Sequence, residues 1–184
     1  MQLIEPTQWS PQPWRNGAGT THELVRWPEA EPFAIRISVA DLTAPAPFSR
    51  FAGYQRWLVL LAGGPVTLAI AGAPVVLASP GDEVTFAGAA EVAATAVTGA
   101  SRDLNFMVSA ALAARVEVVR GPATRVVAGA AVAAFTIAGE VTVTSAGDTA
   151  LLARHACAWA TDAELTIAAA ADAVMAVVSV GARR

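Results

Sequence analysis

The chain has 184 residues, 55% of them apolar and 15% charged, with a formal net charge of −3. That composition describes a packed globular chain rather than a disordered one, and the absence of any basic run argues against nucleic-acid binding. Cys157 is the only cysteine, which excludes an internal disulfide and a thiolate metal cluster.

The N-terminal segment Met1-Gln-Leu-Ile-Glu-Pro-Thr-Gln-Trp9 has neither the basic nor the apolar region of a secretory signal. The longest apolar stretches, around Gly129–Gly139, are too short to span a bilayer. A bacterial, cytoplasmic protein without membrane association is expected.

Next come Trp14-Arg15-Asn16-Gly17 and Gly19-Thr20-Thr21, a polar, glycine-rich loop. Its Asn and Thr side chains either bond to backbone in an ordered turn or help to wall a binding site, with Trp14 as an apolar face. It is not a phosphate loop, because no Gly-Lys-Ser/Thr follows. His22 and Glu23 follow on an extended stretch and face opposite sides of it. Glu23 is expected inside a pocket, bonded to an arginine, and His22 is expected as a hydrogen-bonded histidine rather than a base.

Phe33-Ala-Ile-Arg-Ile-Ser-Val-Ala40 alternates with a period of two. Phe33, Ile35, Ile37 and Val39 share one face, and Arg36 and Ser38 share the other. Gly53-Tyr-Gln-Arg-Trp-Leu-Val-Leu-Leu-Ala-Gly-Gly64 reads as a buried strand running into a tight turn, and Arg56 breaks its apolar character. A buried cation is costly unless something negative meets it, so an inward Arg56 implies an anion. That anion is either a ligand or Asp103, which shares a strand face with Asn105. Tyr54 falls on the face of Arg56. Ser49 either caps a turn or donates to a ligand oxygen, and no His or Asp is spaced to make it a nucleophile.

Gly or Pro recurs at strand-length intervals through the rest of the chain, as at Pro80-Gly81, Gly99, Gly121-Pro122 and Gly139. Despite the abundance of Ala, this punctuation predicts an all-β fold of short strands, a sandwich or barrel. Only Ser109–Arg115 reads as a short helix, where a linker would lie. Three blocks repeat in order. Leu60–Leu68 resembles Thr136–Val143, Val76–Asp82 resembles Ala150–Ala156, and Leu104–Ser109 resembles Ala173–Ser179. Two similar halves follow, residues 1–110 carrying the pocket and residues 111–184 a degenerate copy. Cys157, between Ala156 and Ala158, reads as a buried inert thiol, and His155 replaces the turn glycine of the second copy.

The strand, Leu-x-Gly turn, strand, Pro-Gly-Asp turn pattern resembles a cupin, a double-stranded β-helix (jelly-roll) barrel. By that resemblance the metal-binding glutamate position falls on Arg56 and two histidine positions fall on Ser49 and Phe51. Thr85–Val92, after Pro80-Gly81-Asp82, brings no histidine. The resemblance therefore implies a cupin without its metal and without a cofactor, and a site that prefers an anion to a cation. Trp14–Leu24, Arg36–Ala40, Pro47–Gly53 with Arg56, and Asp103–Met107 together resemble the HutD/Ves family over the whole chain. Ala18 and Ala52 stand where that family usually has Gly and Pro. The resemblance implies a bicupin with a regulatory role in histidine utilisation, binding a small acid such as N-formylglutamate or formate.

Trp14, Arg15, Asn16, Thr21, Glu23, Arg36, Ser38, Ser49, Arg56 and Asn105 are the expected ligand-binding residues, with no catalytic and no metal-binding residue. The partner is a small carboxylate, not nucleic acid or a membrane, and exposed barrel edges make a homodimer an option. The alternative is a metal-independent isomerase or epimerase of cupin type, with His22 and Tyr54 or Glu23 as its acid and base. A vestigial pocket on an interaction scaffold is a third reading.

Overall fold

The structure is a computed structural model that describes residues 1–182. Apart from one turn of 3-10 helix at Pro6–Gln8, the regular elements are strands. In chain order they are β1 (Gln2–Ile4), β2 (Ser10–Pro13), β3 (Gly19–Trp27), β4 (Ile35–Leu42), β5 (Ala46–Pro47), β6 (Tyr54–Ala62), β7 (Val66–Ile70), β8 (Ala73–Leu77), β9 (Glu83–Ala87), β10 (Val92–Val97), β11 (Ser101–Ser109), β12 (Leu112–Arg120), β13 (Ala123–Ala138), β14 (Val141–Ser145), β15 (Asp148–Leu152), β16 (Cys157–Ala169) and β17 (Val174–Ala182). No described helix is long and apolar enough to cross a membrane.

The chain forms two compact units. Ser10–Ala110 make a six-stranded sheet, β2-β3-β4-β11-β6-β9, and a four-stranded sheet, β5-β10-β7-β8. The period of two seen in Phe33–Ala40 explains the packing. Ile35, Ile37 and Val39 are fully buried on one face of β4, while Arg36, Ser38 and Ala40 take the other. Leu42, Leu58, Leu60, Val66, Leu68, Leu77, Phe86 and Val92 form one apolar cluster in this unit. Each such side chain removed from water contributes on the order of 2 kcal/mol.

The other unit joins Met1–Trp9 to the residues from Ala111 onward. Its sheet runs β12-β17-β13-β16-β14-β15, and β1 pairs with β16, Ile4 opposite Cys157. The first nine residues therefore belong with the C-terminal half, not with the 1–110 segment expected from sequence. The core here is built from small side chains, Val132, Ala134, Val143, Ala158, Leu165, Ile167 and Val177 among them. Cys157 is fully buried, and that burial pushes its thiol up to about 12.

The helix expected over Ser109–Arg115 is absent. β11 ends at Ser109, β12 starts at Leu112, and β12 pairs with β17 from Leu112 opposite Ala182 to Arg120 opposite Val174. Nine ladder positions outweigh the weak local preference of four alanines for helix.

The internal repeat is visible in the turns. Leu60 and Gly81 exchange a backbone bond as Thr136 and His155 do, and Leu60 N–H donates to Asp82 as Thr136 N–H donates to Ala156. Both β7–β8 and β14–β15 hairpins turn on an Ala-Gly pair with positive φ at both residues, 48° and 85° at Ala71-Gly72 and 50° and 89° at Ala146-Gly147. His155 stands at φ 67° where Gly81 stands at 87°, so a histidine does occupy the turn-glycine position. It is buried and stacks on Phe135.

Candidate functional site

The cavity is floored by the six-stranded sheet. Three rows of side chains run across it on one face. Arg36 on β4 and Arg56 on β6 flank Met107 on β11. Ser38, Asn105 and Leu58 form the next row, and Ala40, Asp103 and Leu60 the third, with Thr21 of β3 beside Ala40. The loop after β2 supplies the rim. Gly17 N–H closes a turn onto the Trp14 carbonyl, with φ +71° at Gly17, and Asn16 Oδ1 accepts from the Ala18 amide. The indole of Trp14 lies against Gly19, where a Cβ would come within 3.1 Å of the ring, and its N–H donates to Thr21 Oγ1 at 2.7 Å. The loop is thus both an ordered turn and a wall. The enclosed volume is about 640 Å³.

Arg56 dominates this space. It is only 7% exposed, and its guanidinium lies 5.7, 5.7 and 5.0 Å from the ring centroids of Phe48, Phe51 and Phe86. Its Nε and one Nη donate to Asn105 Oδ1 at 3.1 and 3.0 Å, and the other Nη donates to the Ser49 carbonyl at 3.0 Å. A guanidinium carries five N–H donors, so one N–H on each terminal nitrogen is left for the cavity. Burial, and secondarily the charge of Arg36, hold this arginine down to about 10, still cationic at neutral pH. Its partners are an amide and a carbonyl, not a carboxylate.

Asp103 lines the same cavity and does not pair with Arg56. It is fully buried. Oδ2 meets the Ser101 hydroxyl at 3.5 Å, and Oδ1 has no hydrogen-bond partner among the described residues. Burial first, and the nearby charge of Asp41 second, push its carboxyl up to about 7.

Nine of the ten residues expected from sequence line the cavity: Trp14, Arg15, Asn16, Thr21, Arg36, Ser38, Ser49, Arg56 and Asn105. Glu23 does not. A register shift in β3 between Glu23 and Val25 puts Glu23 and Arg26 on one face, and Glu23 bridges Arg26 and Arg36. Burial opposes ionisation of Glu23, but the hydrogen bonds and charges of the two arginines outweigh it and hold the carboxyl below its ordinary range. Glu23 stands opposite Ser38, on the face of Arg36, but its carboxylate is held by Arg36 and Arg26 and is not part of the cavity wall. Ser49 reaches Arg56 through its carbonyl, not its hydroxyl.

Tyr54 is not a wall residue, since its hydroxyl donates to the Phe33 carbonyl at 2.9 Å and its ring stacks on Phe33. His22 Nε2 lies 3.0 Å from Asp41 Oδ2, and Arg102 also bonds Asp41. This pair lies outside the cavity wall. Phe48 and Phe51, which cage Arg56, were not singled out as ligand contacts. Their spacing in Pro47-Phe-Ser-Arg-Phe51 was the available signal. Asp103 was weighed only as a counter-ion.

A metal does not fit. The positions that correspond to cupin ligands present a guanidinium at Arg56, a hydroxyl at Ser49 and a phenyl ring at Phe51, and among the described residues no group of three His, Cys, Asp or Glu could hold an ion.

The HutD family model matches residues 7–177. The chain belongs to the HutD family. It is 31% identical over 109 residues to an uncharacterised 21.2 kDa protein in the hutC 3' region of Pseudomonas putida, covering 58% of this chain and 57% of that protein. It is 40% identical over 96 residues to protein Ves of Citrobacter koseri, covering 51% and 50%. The chain thus spans about half the length of the curated relatives it matches. The solved structure of HutD from Pseudomonas fluorescens SBW25, in a formate condition, superposes with a TM-score of 0.86 at 26% identity, covering 100% of this chain and 99% of that one. A cupin 2 conserved barrel domain protein from Leptotrichia buccalis shares the fold alone, with a TM-score of 0.66 at 8% identity, covering 97% and 96%. The fold of this HutD-family chain is the all-β cupin type.

Proposed function

We propose that this HutD-family protein binds a small carboxylate in the cavity around Arg56, without a metal, and that occupancy of the cavity is a regulatory signal in histidine utilisation or related metabolism. One observation carries the reading. Arg56 is a buried cation that no carboxylate of the described residues meets, and it keeps an N–H on each terminal nitrogen beside open space. Two such N–H groups match the two oxygens of a carboxylate. Low polarity around the cation, set by three phenyl rings, strengthens the pairing. Arg36 adds a second positive charge, already half-compensated by Glu23. The pathway context rests on the family and on the hutC-region relative. The formate condition named for the Pseudomonas fluorescens protein is in keeping with a small-acid ligand.

Thermal-shift titration of the wild type and Arg56→Ala with formate, N-formylglutamate, urocanate and glutamate tests this. At least one acid should raise Tm in the wild type and not in the variant. Stabilisation that survives the substitution, or none from any acid, removes the reading. The isomerase alternative is less favoured, because the His22–Asp41 pair lies outside the cavity wall and Tyr54 is tied to Phe33.

A further inference from the structure

Asp103 is the one carboxyl on the wall of this cavity, and nothing described so far gives it work. It stands in the row beyond Asn105, two residues along β11, roughly 7 Å from it. The guanidinium of Arg56 bonds Asn105. The floor therefore has two ends. A cation with spare donors occupies one, and a fully buried carboxyl with an unpartnered oxygen occupies the other. A buried polar atom without a partner costs stability unless something supplied later satisfies it. The cavity, at about 640 Å³, holds more than a one-carbon acid.

We propose that Asp103 is the second anchor for the ligand of this site: the cavity takes a small acid whose carboxylate meets Arg56 and whose far end presents a hydrogen-bonding group, such as a carbonyl oxygen, to the Asp103 carboxyl. This rests on the anion-binding reading and narrows it to acids with two polar ends.

The surroundings of Asp103 favour the proton. On β4 its neighbour is Ala40, and Asp41 next along carries a negative charge shared with Arg102 and His22. On β6 its neighbour is Leu60, with Arg56 four residues back. On β11 itself Ser101 and Asn105 are uncharged and Arg102 bonds Asp41. The cluster around Leu60 is built from Val66, Leu68, Phe86 and Val92, none titratable. The carboxyl sits at about 7, raised by burial. A neutral Asp103 donates to a ligand carbonyl. An ionised one cannot, and it also repels the carboxylate. Affinity is therefore full below pH 7 and falls as pH rises through it.

Calorimetric titration of the full chain with 4-oxopentanoate and 4-methylpentanoate tests this, since the two acids differ by a carbonyl oxygen against a methyl group. At pH 6 the oxo acid should bind the wild type at least tenfold more tightly, and this advantage should shrink toward unity by pH 9. Asp103→Asn, whose amide still donates, should keep the advantage without its pH dependence. Asp103→Ala should erase it. Equal affinities in the wild type, or an advantage that Asp103→Ala leaves intact, overturn the role of Asp103. If both acids bind equally and both are lost in Arg56→Gln, the anion reading stands and this one fails. If neither acid binds, or binding ignores Arg56, both fail. Melting curves of each variant establish that it is folded.

Discussion

Arg56 on β6 and Val132 on β13 occupy corresponding places in the two halves, each four residues before the turn-linked pair of Leu60 and Thr136. Along the partner strands, Asn105 corresponds to Val177 and Asp103 to Met175, because they face Leu58 and Leu60 as Val177 and Met175 face Ala134 and Thr136. In the C-terminal half all three positions are apolar members of the core. In the N-terminal half they are a cation, an amide and a carboxyl around a cavity. The same strands and turns thus support either a filled interior or a polar one. The difference teaches that the fold does not need the polar set. Arg56, Asn105 and Asp103 are buried polar groups where the other half keeps apolar ones, and burial of that kind costs stability.

The comparison breaks most sharply by moving the cation. Val132→Arg puts an unpaired charge at a fully buried position of the apolar core, and should cost more than about 4 kcal/mol or abolish folding, read by urea denaturation. Next is pH. Asp103 is raised from 3.8 to about 7 in the folded protein, so the native state binds a proton that the unfolded state has already released between those values. Stability should therefore fall as pH rises from 4 to 7, by up to about 4 kcal/mol, and level off above. Asp103→Asn should flatten that slope, and an unchanged slope would deny Asp103 its buried character. The reverse exchange, Arg56→Met, replaces the buried charge by an apolar chain like those of the C-terminal half. It should abolish carboxylate binding yet raise the stability of the ligand-free protein by about 1–2 kcal/mol. A loss of stability would mean that the bonds to Asn105 and Ser49 outweigh the burial cost. The smallest effect tests what the halves share. Ala71→Asn and Ala146→Asn place a residue tolerant of positive φ in each two-residue hairpin, and each should add roughly 0.5 kcal/mol, equally in both halves.

The all-β architecture was legible because glycine and proline set strand lengths that no alanine content could override. The repeat was legible because turns at Gly81 and His155 are spaced alike. The face-sharing of Arg36 with Ser38, and of Asp103 with Asn105, follows from the period of two, which is why most of the wall could be named in advance. What failed was non-local. The strand nature of Leu112–Arg120 is set by β17, more than fifty residues away. The cage around Arg56 joins Phe48 and Phe51 of one segment to Phe86 of β9, more than thirty residues away. The bulge after Glu23 leaves no mark in side-chain chemistry, yet it brings Arg26 to the face of Glu23 and gives that carboxylate a second arginine.

Strand β1 carries a consequence for synthesis. Gln2–Ile4 precede Ser10–Ala110 in the chain, yet their partners Cys157–Trp159 follow only after that unit has been made. Gln2–Ile4 lack their strand partner while Ser10–Ala110 are made, and can pair only once β16 has emerged. Substitutions in Gln2–Ile4 should therefore be felt in the unit that is translated later, and leave the one beside them in sequence intact.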